Sequence, residues 1–237
     1  MKTKIVQKQF RRQESKYIVE KSVFTQLERE LREHMVADDY AKSSITTIYF
    51  DNDQFGMIQD ALAKKYGREK VRMRVYDRKP SAESQAFLEI KKKENKVGFK
   101  YRLTSTPVAV MNYIENDIQD ATIADEKVTS ELATLRKRYG QMKPKMYISY
   151  DRVSFKGKED KKVRLTVDQN LLYRDHQVDV MLGKYGSALL DPDKVIMEIK
   201  VPDEQPAWLI VLLEKYQIEK QSFSKYGNAY RLAQQNQ

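Results

Sequence analysis

Several short runs of this chain alternate an apolar residue with a charged one. They are Val71-Arg72-Met73-Arg74-Val75, Phe99-Lys100-Tyr101-Arg102, Val163-Arg164-Leu165-Thr166-Val167-Asp168, and the near-identical pair Leu88-Glu89-Ile90-Lys91 and Met197-Glu198-Ile199-Lys200. A period of two belongs to a β-strand, whose successive side chains point to opposite faces. Each run therefore commits one face to a core and the other to Arg, Lys and Glu. Glu and Lys are depleted in strands generally, so their recurrence together marks a sheet whose polar face has a use.

Other stretches extend the sheet. The pattern predicts strands over Ser43–Phe50, Lys70–Tyr76, Gln85–Lys93, Val97–Leu103, Lys145–Phe155, Lys161–Asp168 and Lys194–Val201, with Arg12–Tyr17 as an eighth. Turn residues at Asp77–Ser81, Glu94–Lys96 and Lys156–Asp160 separate neighbours as antiparallel hairpins require. Helices are expected where Val23, Phe24, Leu27, Leu31 and Met35 recur, and after the Thr106-Pro107 cap. A further helix carries Val128, Leu132, Leu135 and Tyr139 and stops at Gly140 in a left-handed cap, one surrounds Trp208, and one starts at Lys225 or Tyr226. These stripes read as core, which makes the chain α+β. Leu172–Asp193 is the least regular stretch and reads as a hairpin or surface excursion. With no repeat beyond the Glu-Ile-Lys echo and no linker, residues 1–237 read as a single domain, long enough to bury a core without staples.

The charged faces are nearly all cationic: Arg72 and Arg74, Lys100 and Arg102, Arg152, Arg164. A solvated face ordinarily mixes Thr, Ser, Gln and both signs of charge, and like charges on adjacent strands repel, so the arrangement calls for an anionic ligand. The overall charge agrees, since 44 Lys and Arg against 34 Asp and Glu leave +10. If the sheet curls into a barrel with helices outside, its bore is cationic and suits a phosphate chain. A barrel of about eight strands is too narrow for duplex DNA. Single-stranded nucleic acid needs aromatic platforms on the binding face, whereas Tyr17, Tyr49, Tyr76 and Phe99 are expected mostly on the opposite one. No nucleic-acid partner is expected.

Glu14, Glu89 and Glu198 each precede a Lys by two positions and share its face. Such a carboxylate either forms ion pairs or holds Mg²⁺ or Mn²⁺, hard cations that take carboxylate oxygen and bridge to phosphates. His34 and His176 have no partner at ligand spacing. The chain has no cysteine, Gly-x-Ser-x-Gly turn or Walker loop, so any chemistry is electrostatic. Absence of cysteine, of an apolar run of roughly 20 residues and of a signal-like N-terminus fits a soluble, cytoplasmic protein.

Taken in order, Glu14-Ser15-Lys16-Tyr17, Ile48-Tyr49-Phe50-Asp51, Val71 to Tyr76, Phe87 to Lys91, Lys100-Tyr101-Arg102, Tyr150-Asp151-Arg152, Val163 to Asp168, Met197 to Lys200 and Ser222-Phe223-Ser224-Lys225-Tyr226 resemble the catalytic domain of the vacuolar transporter chaperone (VTC) complex and its bacterial homologues, within the CYTH-like triphosphate tunnel metalloenzymes. The resemblance implies an antiparallel β-barrel or tunnel of about eight strands with helices outside. It implies a metal-dependent polyphosphate polymerase that moves the γ-phosphate of ATP onto a growing polyphosphate chain. Lys16, Arg72, Arg74, Lys91, Lys100, Arg102, Arg152, Arg164, Lys200 and Lys225 would grip phosphates, with Lys200, Arg72, Arg74 and Arg164 acting in catalysis. Glu198 would hold Mn²⁺ or Mg²⁺, with Glu89 and Glu14 in support.

The expected ligands are ATP or another triphosphate and inorganic polyphosphate. The sequence carries neither the N-terminal regulatory domain nor the membrane span of the full complex, so a membrane-protein partner is expected to recruit it to the inner face of the membrane and to export product. Two other activities fit the same residues: hydrolysis of triphosphate or polyphosphate, with Glu14 or Glu89 orienting water, and non-catalytic polyphosphate binding.

Overall fold

The structure, a computed structural model, describes residues 13–65, 68–94 and 97–235. Their elements in order are β1 (Gln13–Glu20), α1 (Lys21–His34), β2 (Met35–Asp51), α2 (Gly56–Leu62), β3 (Arg68–Val75), β4 (Ala86–Glu94), β5 (Val97–Ser105), α3 (Pro107–Asn116), α4 (Glu126–Tyr139), β6 (Lys143–Gly157), β7 (Arg164–Arg174), β8 (Ser187–Ala188), β9 (Lys194–Val201), α5 (Ala207–Lys215) and α6 (Lys225–Gln235). The strands form a sheet in the order β1-β9-β7-β6-β2-β3-β4-β5, with β8 paired to β7. The ladders of β1 with β9, β7 with β9, and β2 through β5 are antiparallel. The α+β class is as expected. Among the described residues the strand pairing runs as a path from β1 to β5. At its β1 end the outer edge is met by one residue, Gln221, whose N–H donates to the Lys16 carbonyl at 2.8 Å.

The chain forms two compact units, one of residues 46–147 and 175–183, the other of described residues 13–45, 148–174 and 184–235. In the first, Ile48, Val71, Met73, Leu88, Ile90 and Leu103 pack beneath Met57 of α2, Val110 and Ile114 of α3, and Val128, Leu132 and Leu135 of α4. In the second, Tyr17, Val19, Leu165, Val167, Met197 and Ile199 pack beneath Leu27 and Leu31 of α1 and Leu209, Leu212 and Leu213 of α5. Each fully buried aliphatic side chain contributes about 1.5–3 kcal/mol. Within each unit the helices cover the apolar strand face and leave the charged face to other partners.

Local chemistry explains most element ends. Thr106 accepts from the Ala109 N–H with Pro107 in the first turn of α3, as expected. Asp125 accepts from Lys127 and Val128 at the start of α4, while Arg136, Lys137 and Arg138 complement the dipole at its end. Gly140 then takes φ 79° with ψ −159°, so the helix leaves through an extended positive-φ conformation and not the expected left-handed cap. Gly157 closes the β6–β7 turn, where a side chain would lie 2.4 Å from the Asp160 carbonyl.

Several boundaries differ from the sequence expectation, the largest differences being at α1, β2 and β7. Helix α1 ends at His34; Met35 is extended, at φ −128° and ψ 151°, and opens β2 well before Ser43. Strand β7 begins at Arg164 because residues 160–162 complete the turn, and it continues to Arg174, where β8 supplies the expected hairpin. Helix α2 has no counterpart in the expectation. Its first turn is capped from a distance by the buried Asp51 carboxylate, which accepts from the N–H groups of Met57 and Ile58 at 2.9 and 3.0 Å. Arg12 and the Asn95-Lys96 turn lie outside the described residues.

Candidate functional site

Strand register writes the charge pattern of the second unit. Glu14 lies opposite Lys200 and Lys16 opposite Glu198, while β7 places Arg164 opposite Lys200 and Thr166 opposite Glu198. Opposite charges facing each other across strands are mutually stabilising. Lys200 Nζ sits 2.6 Å from Glu198 Oε1 and 3.9 Å from Glu14, and Lys16 Nζ sits 3.3 Å from Glu14 and 3.8 Å from Glu198. Two ammonium groups and two carboxylates thus alternate in a ring. Burial works to raise the Glu198 carboxyl, but the charges of Lys200 and Lys16 and the Lys200 hydrogen bond outweigh it and bring the pKa down to about 2. Glu198 is an anion at neutral pH.

A second cluster in the same unit centres on Asp168, which is fully buried. Arg152 donates to both of its oxygens, at 2.6 and 2.8 Å, and Lys225 donates to Oδ2 at 2.6 Å. Lys225 is the first residue of α6, so the start of that helix delivers an ammonium to the strand face. The ring of Tyr150 lies 4.6 Å from Lys225 Nζ and 5.4 Å from the Arg152 guanidinium, adding cation–π attraction. Burial raises the Asp168 carboxyl, yet Lys225 and Arg152 hold it below the usual range. Burial lowers the Lys225 ammonium, and Asp168 more than reverses that. Arg164 is different: its side chain is 47% exposed and it hydrogen-bonds Asp38.

The first unit repeats the theme with a different balance. Glu89 faces Arg72 on one side and Arg102 on the other, while Lys91 faces Lys70 and Lys100. The Glu89 carboxylate is fully buried. Arg72 donates to it from Nε at 2.8 Å and Nη2 lies at 2.7 Å; Lys100 Nζ is at 2.7 Å and Arg102 Nε at 3.6 Å. Burial pushes this carboxyl up, but Arg72, Arg74 and Lys100 pull it well below the carboxylate range. Arg72 also donates to the Tyr49 hydroxyl and Arg74 to the Tyr76 hydroxyl, each at 3.4 Å. Cations outnumber the single carboxylate, so the face is net positive.

The structure therefore groups Lys16, Lys200, Arg152, Arg164, Lys225, Glu14 and Glu198 in one unit, and Arg72, Arg74, Lys91, Lys100, Arg102 and Glu89 in the other. Two expectations change. Tyr49 lies opposite Arg72 and Tyr76 bonds Arg74, so both belong with the charged face; Tyr17 and Phe99, opposite Met197 and Lys92, do not. Aromatic rings therefore do stand on the charged face of the first unit, contrary to the expectation that set single-stranded nucleic acid aside. The repulsion among cations is also offset internally by Glu89, Glu198, Asp168 and Asp38, without need of a ligand to hold the fold.

Sequence reasoning gave Asp168 no role, although it stands four residues after Arg164 in an alternating run and so on the same face. Asp38 carried no signal. His34 stacks on Trp208 at 4.5 Å, and His176 lies beside Asp175, so neither joins these clusters. Among the described residues the hydroxyls of Thr47, opposite Arg74, and Thr166, opposite Glu198, have no hydrogen-bond partner.

No curated protein matches the chain by sequence. A candidate adenylate cyclase from Bacillus halodurans shares its fold, with a TM-score of 0.58 at 14% identity over 89% of this chain and 92% of that one. A candidate adenylate cyclase from Vibrio parahaemolyticus gives a TM-score of 0.48 at 12% identity, covering 94% and 98%. At 14% identity the first of these likenesses concerns fold alone. The VTC domain, as a family model, matches residues 11–234. With that match over nearly its whole length, and with the charged strand runs in place, the chain belongs to the VTC domain family.

Proposed function

We propose that the protein is a metal-dependent phosphotransferase that moves the γ-phosphate of ATP onto a growing inorganic polyphosphate chain. The observation that carries this reading is the arrangement around Glu198, Glu89 and Asp168: buried carboxylates that hold Arg and Lys side chains at fixed positions. Phosphoryl transfer has a loose transition state with charge spread over peripheral oxygens, so positioned cations supply most of its catalysis. A polyphosphate end is already an anionic nucleophile and needs no general base.

In this reading Lys16, Arg72, Arg74, Lys91, Lys100, Arg102, Arg152, Arg164, Lys200 and Lys225 bind phosphate oxygens. Lys200, Arg72, Arg74 and Arg164 stabilise charge on the transferred group. Asp168 does not touch phosphate; it orients Arg152 and Lys225. Thr166 offers a hydroxyl beside Glu198.

The donors around Glu198 fit Mg²⁺ or Mn²⁺. Its carboxylate is ionised, its two oxygens are held by displaceable ammonium groups, and Glu14 adds a second, more exposed carboxylate. No group of three or more acidic or histidine side chains suited to a metal occurs among the described residues. One or two carboxylates with waters and substrate phosphates are the usual shell of Mg²⁺. Bound there, the ion would neutralise charge on the transferring phosphoryl group.

No described helix is long and apolar enough to cross a membrane. We further propose that a membrane-protein partner recruits this domain from the cytoplasm and exports the product. Incubation with ATP and Mn²⁺ or Mg²⁺, with products resolved by gel and by orthophosphate assay, tests the proposal. Long phosphate chains support it. Orthophosphate alone makes the protein a hydrolase, and unchanged ATP with bound polyphosphate makes it a binding module.

A further inference from the structure

The cationic face of the first unit ends in an aromatic pair that binding of a bare phosphate chain does not use. Tyr76 directly follows β3, is 38% exposed, and accepts a hydrogen bond from Arg74 that keeps its hydroxyl on the arginine side. Phe87 lies opposite Arg74 in register. It meets Tyr76 edge-on, at 5.6 Å and 75°, and carries the Arg102 guanidinium 3.6 Å over its ring. Phe87 is thus engaged by Tyr76 at an edge and by Arg102 over its face, which braces Tyr76 and leaves Tyr76 as the ring with open surface. Tyr76, Arg74 and Arg72 stand at successive alternate positions of one strand run, about 7 Å apart. A ribose separates a base from its phosphates on the same scale.

Inorganic phosphate has no π-surface to offer such a ring, whereas a nucleobase does. We infer that Tyr76 is the base platform of a nucleoside triphosphate subsite, with the base stacked on its exposed ring and the triphosphate running along Arg74 and Arg72. This rests on the phosphate-binding reading above and adds the residue that holds the base of the nucleoside triphosphate. Stacking tolerates every base, so ATP and GTP bind alike and pyrimidine nucleotides more weakly.

The test is calorimetric titration of ATP and of inorganic tripolyphosphate, each with Mg²⁺, into the unaltered protein, Tyr76→Ala and Tyr76→Phe. Loss of one stacked base weakens ATP binding by about 5- to 150-fold in Tyr76→Ala. Tripolyphosphate affinity stays close to that of the unaltered protein, which also shows that the variant is folded. Tyr76→Phe, which keeps the ring and loses only the bond to Arg74, retains both affinities. Equal losses for ATP and tripolyphosphate in Tyr76→Ala, or an unmoved ATP affinity, overturn the inference alone. Failure of tripolyphosphate to bind the unaltered protein overturns the phosphate reading and the inference with it.

Discussion

Arg152 holds Asp168 through two parallel hydrogen bonds, Nε to Oδ1 at 2.6 Å and Nη2 to Oδ2 at 2.8 Å. Fork-on-fork contact of this kind is the strong form of the ion pair. Lys225 shares the same carboxylate, so one anion fixes two cations on a buried face. Removing it leaves both without their counter-charge. Asp168→Ala is expected to lower folding stability by about 3–5 kcal/mol in urea unfolding. Added tripolyphosphate should restore part of that loss by supplying negative charge. An unchanged urea midpoint would mean that the pair contributes nothing.

Glu198→Ala is expected to abolish metal-dependent turnover of ATP while leaving much of the triphosphate affinity. Its loss removes one carboxylate from Lys200 and Lys16 and leaves Glu14 as their remaining partner in the ring, so both ammonium groups are more open to phosphate. The check is turnover against Mn²⁺ concentration, run beside a binding titration. Full activity in this variant would remove Glu198 from the metal assignment.

Arg72 and Arg164 should differ. Arg72 is 9% exposed and tied to Glu89 and Tyr49, so a phosphate contact there is desolvated. Arg72→Ala is expected to weaken tripolyphosphate binding by about 1.5–3 kcal/mol, the range for a lost hydrogen bond to a charged group. Arg164 is half-exposed and pairs with Asp38, so Arg164→Ala should cost less and its effect should fade with added salt. Equal, salt-independent losses at both positions would contradict the difference in burial.

Acid should unfold the protein in a defined window. The folded pKa of Glu198, about 2, lies below its ordinary 4.5, so between those values the unfolded chain binds more protons. The stabilisation is complete above about pH 4.5 and is lost as pH falls toward 2, with Asp168 acting in the same direction. From the size of that gap the Glu198 share is on the order of 3 kcal/mol. Unfolding free energies measured from pH 7 to pH 2 should show a shallower acid loss in Glu198→Gln than in the unaltered protein. Identical profiles would deny the pairing.

Strand faces were legible because burial on one side only leaves a period of two in the residues. Thus Arg72, Arg74, Glu89 and Arg102 could be placed on one face before any pairing was known. What the pattern lacks is the identity of the neighbour. The runs around Glu89 and Glu198 look alike, yet one carboxylate is ringed by Arg72, Lys100 and Arg102 and the other by two lysines. The first half of β2 was missed for a related reason: from Val36 to Lys42 its side chains are exposed or half-buried, so no apolar face exists to write alternation. Helix α2 was missed because its cap, Asp51, belongs to the preceding strand and not to the adjacent residue. Asp168 could have been read, since its spacing from Arg164 puts both on one side.

The ring of Glu14, Lys16, Glu198 and Lys200 gives the resting site the electrical balance of an occupied one. An arriving anion does not fill a bare hole; it displaces carboxylates already seated on the ammonium groups. Chloride or acetate, with one charge, makes no better partner than the carboxylate it would replace. A chain of phosphates reaches several ammonium groups at once and wins by valence. In the proposed phosphate-binding role the site would act as a valence filter, closed to the common monovalent ions of its surroundings and opened by polyanions.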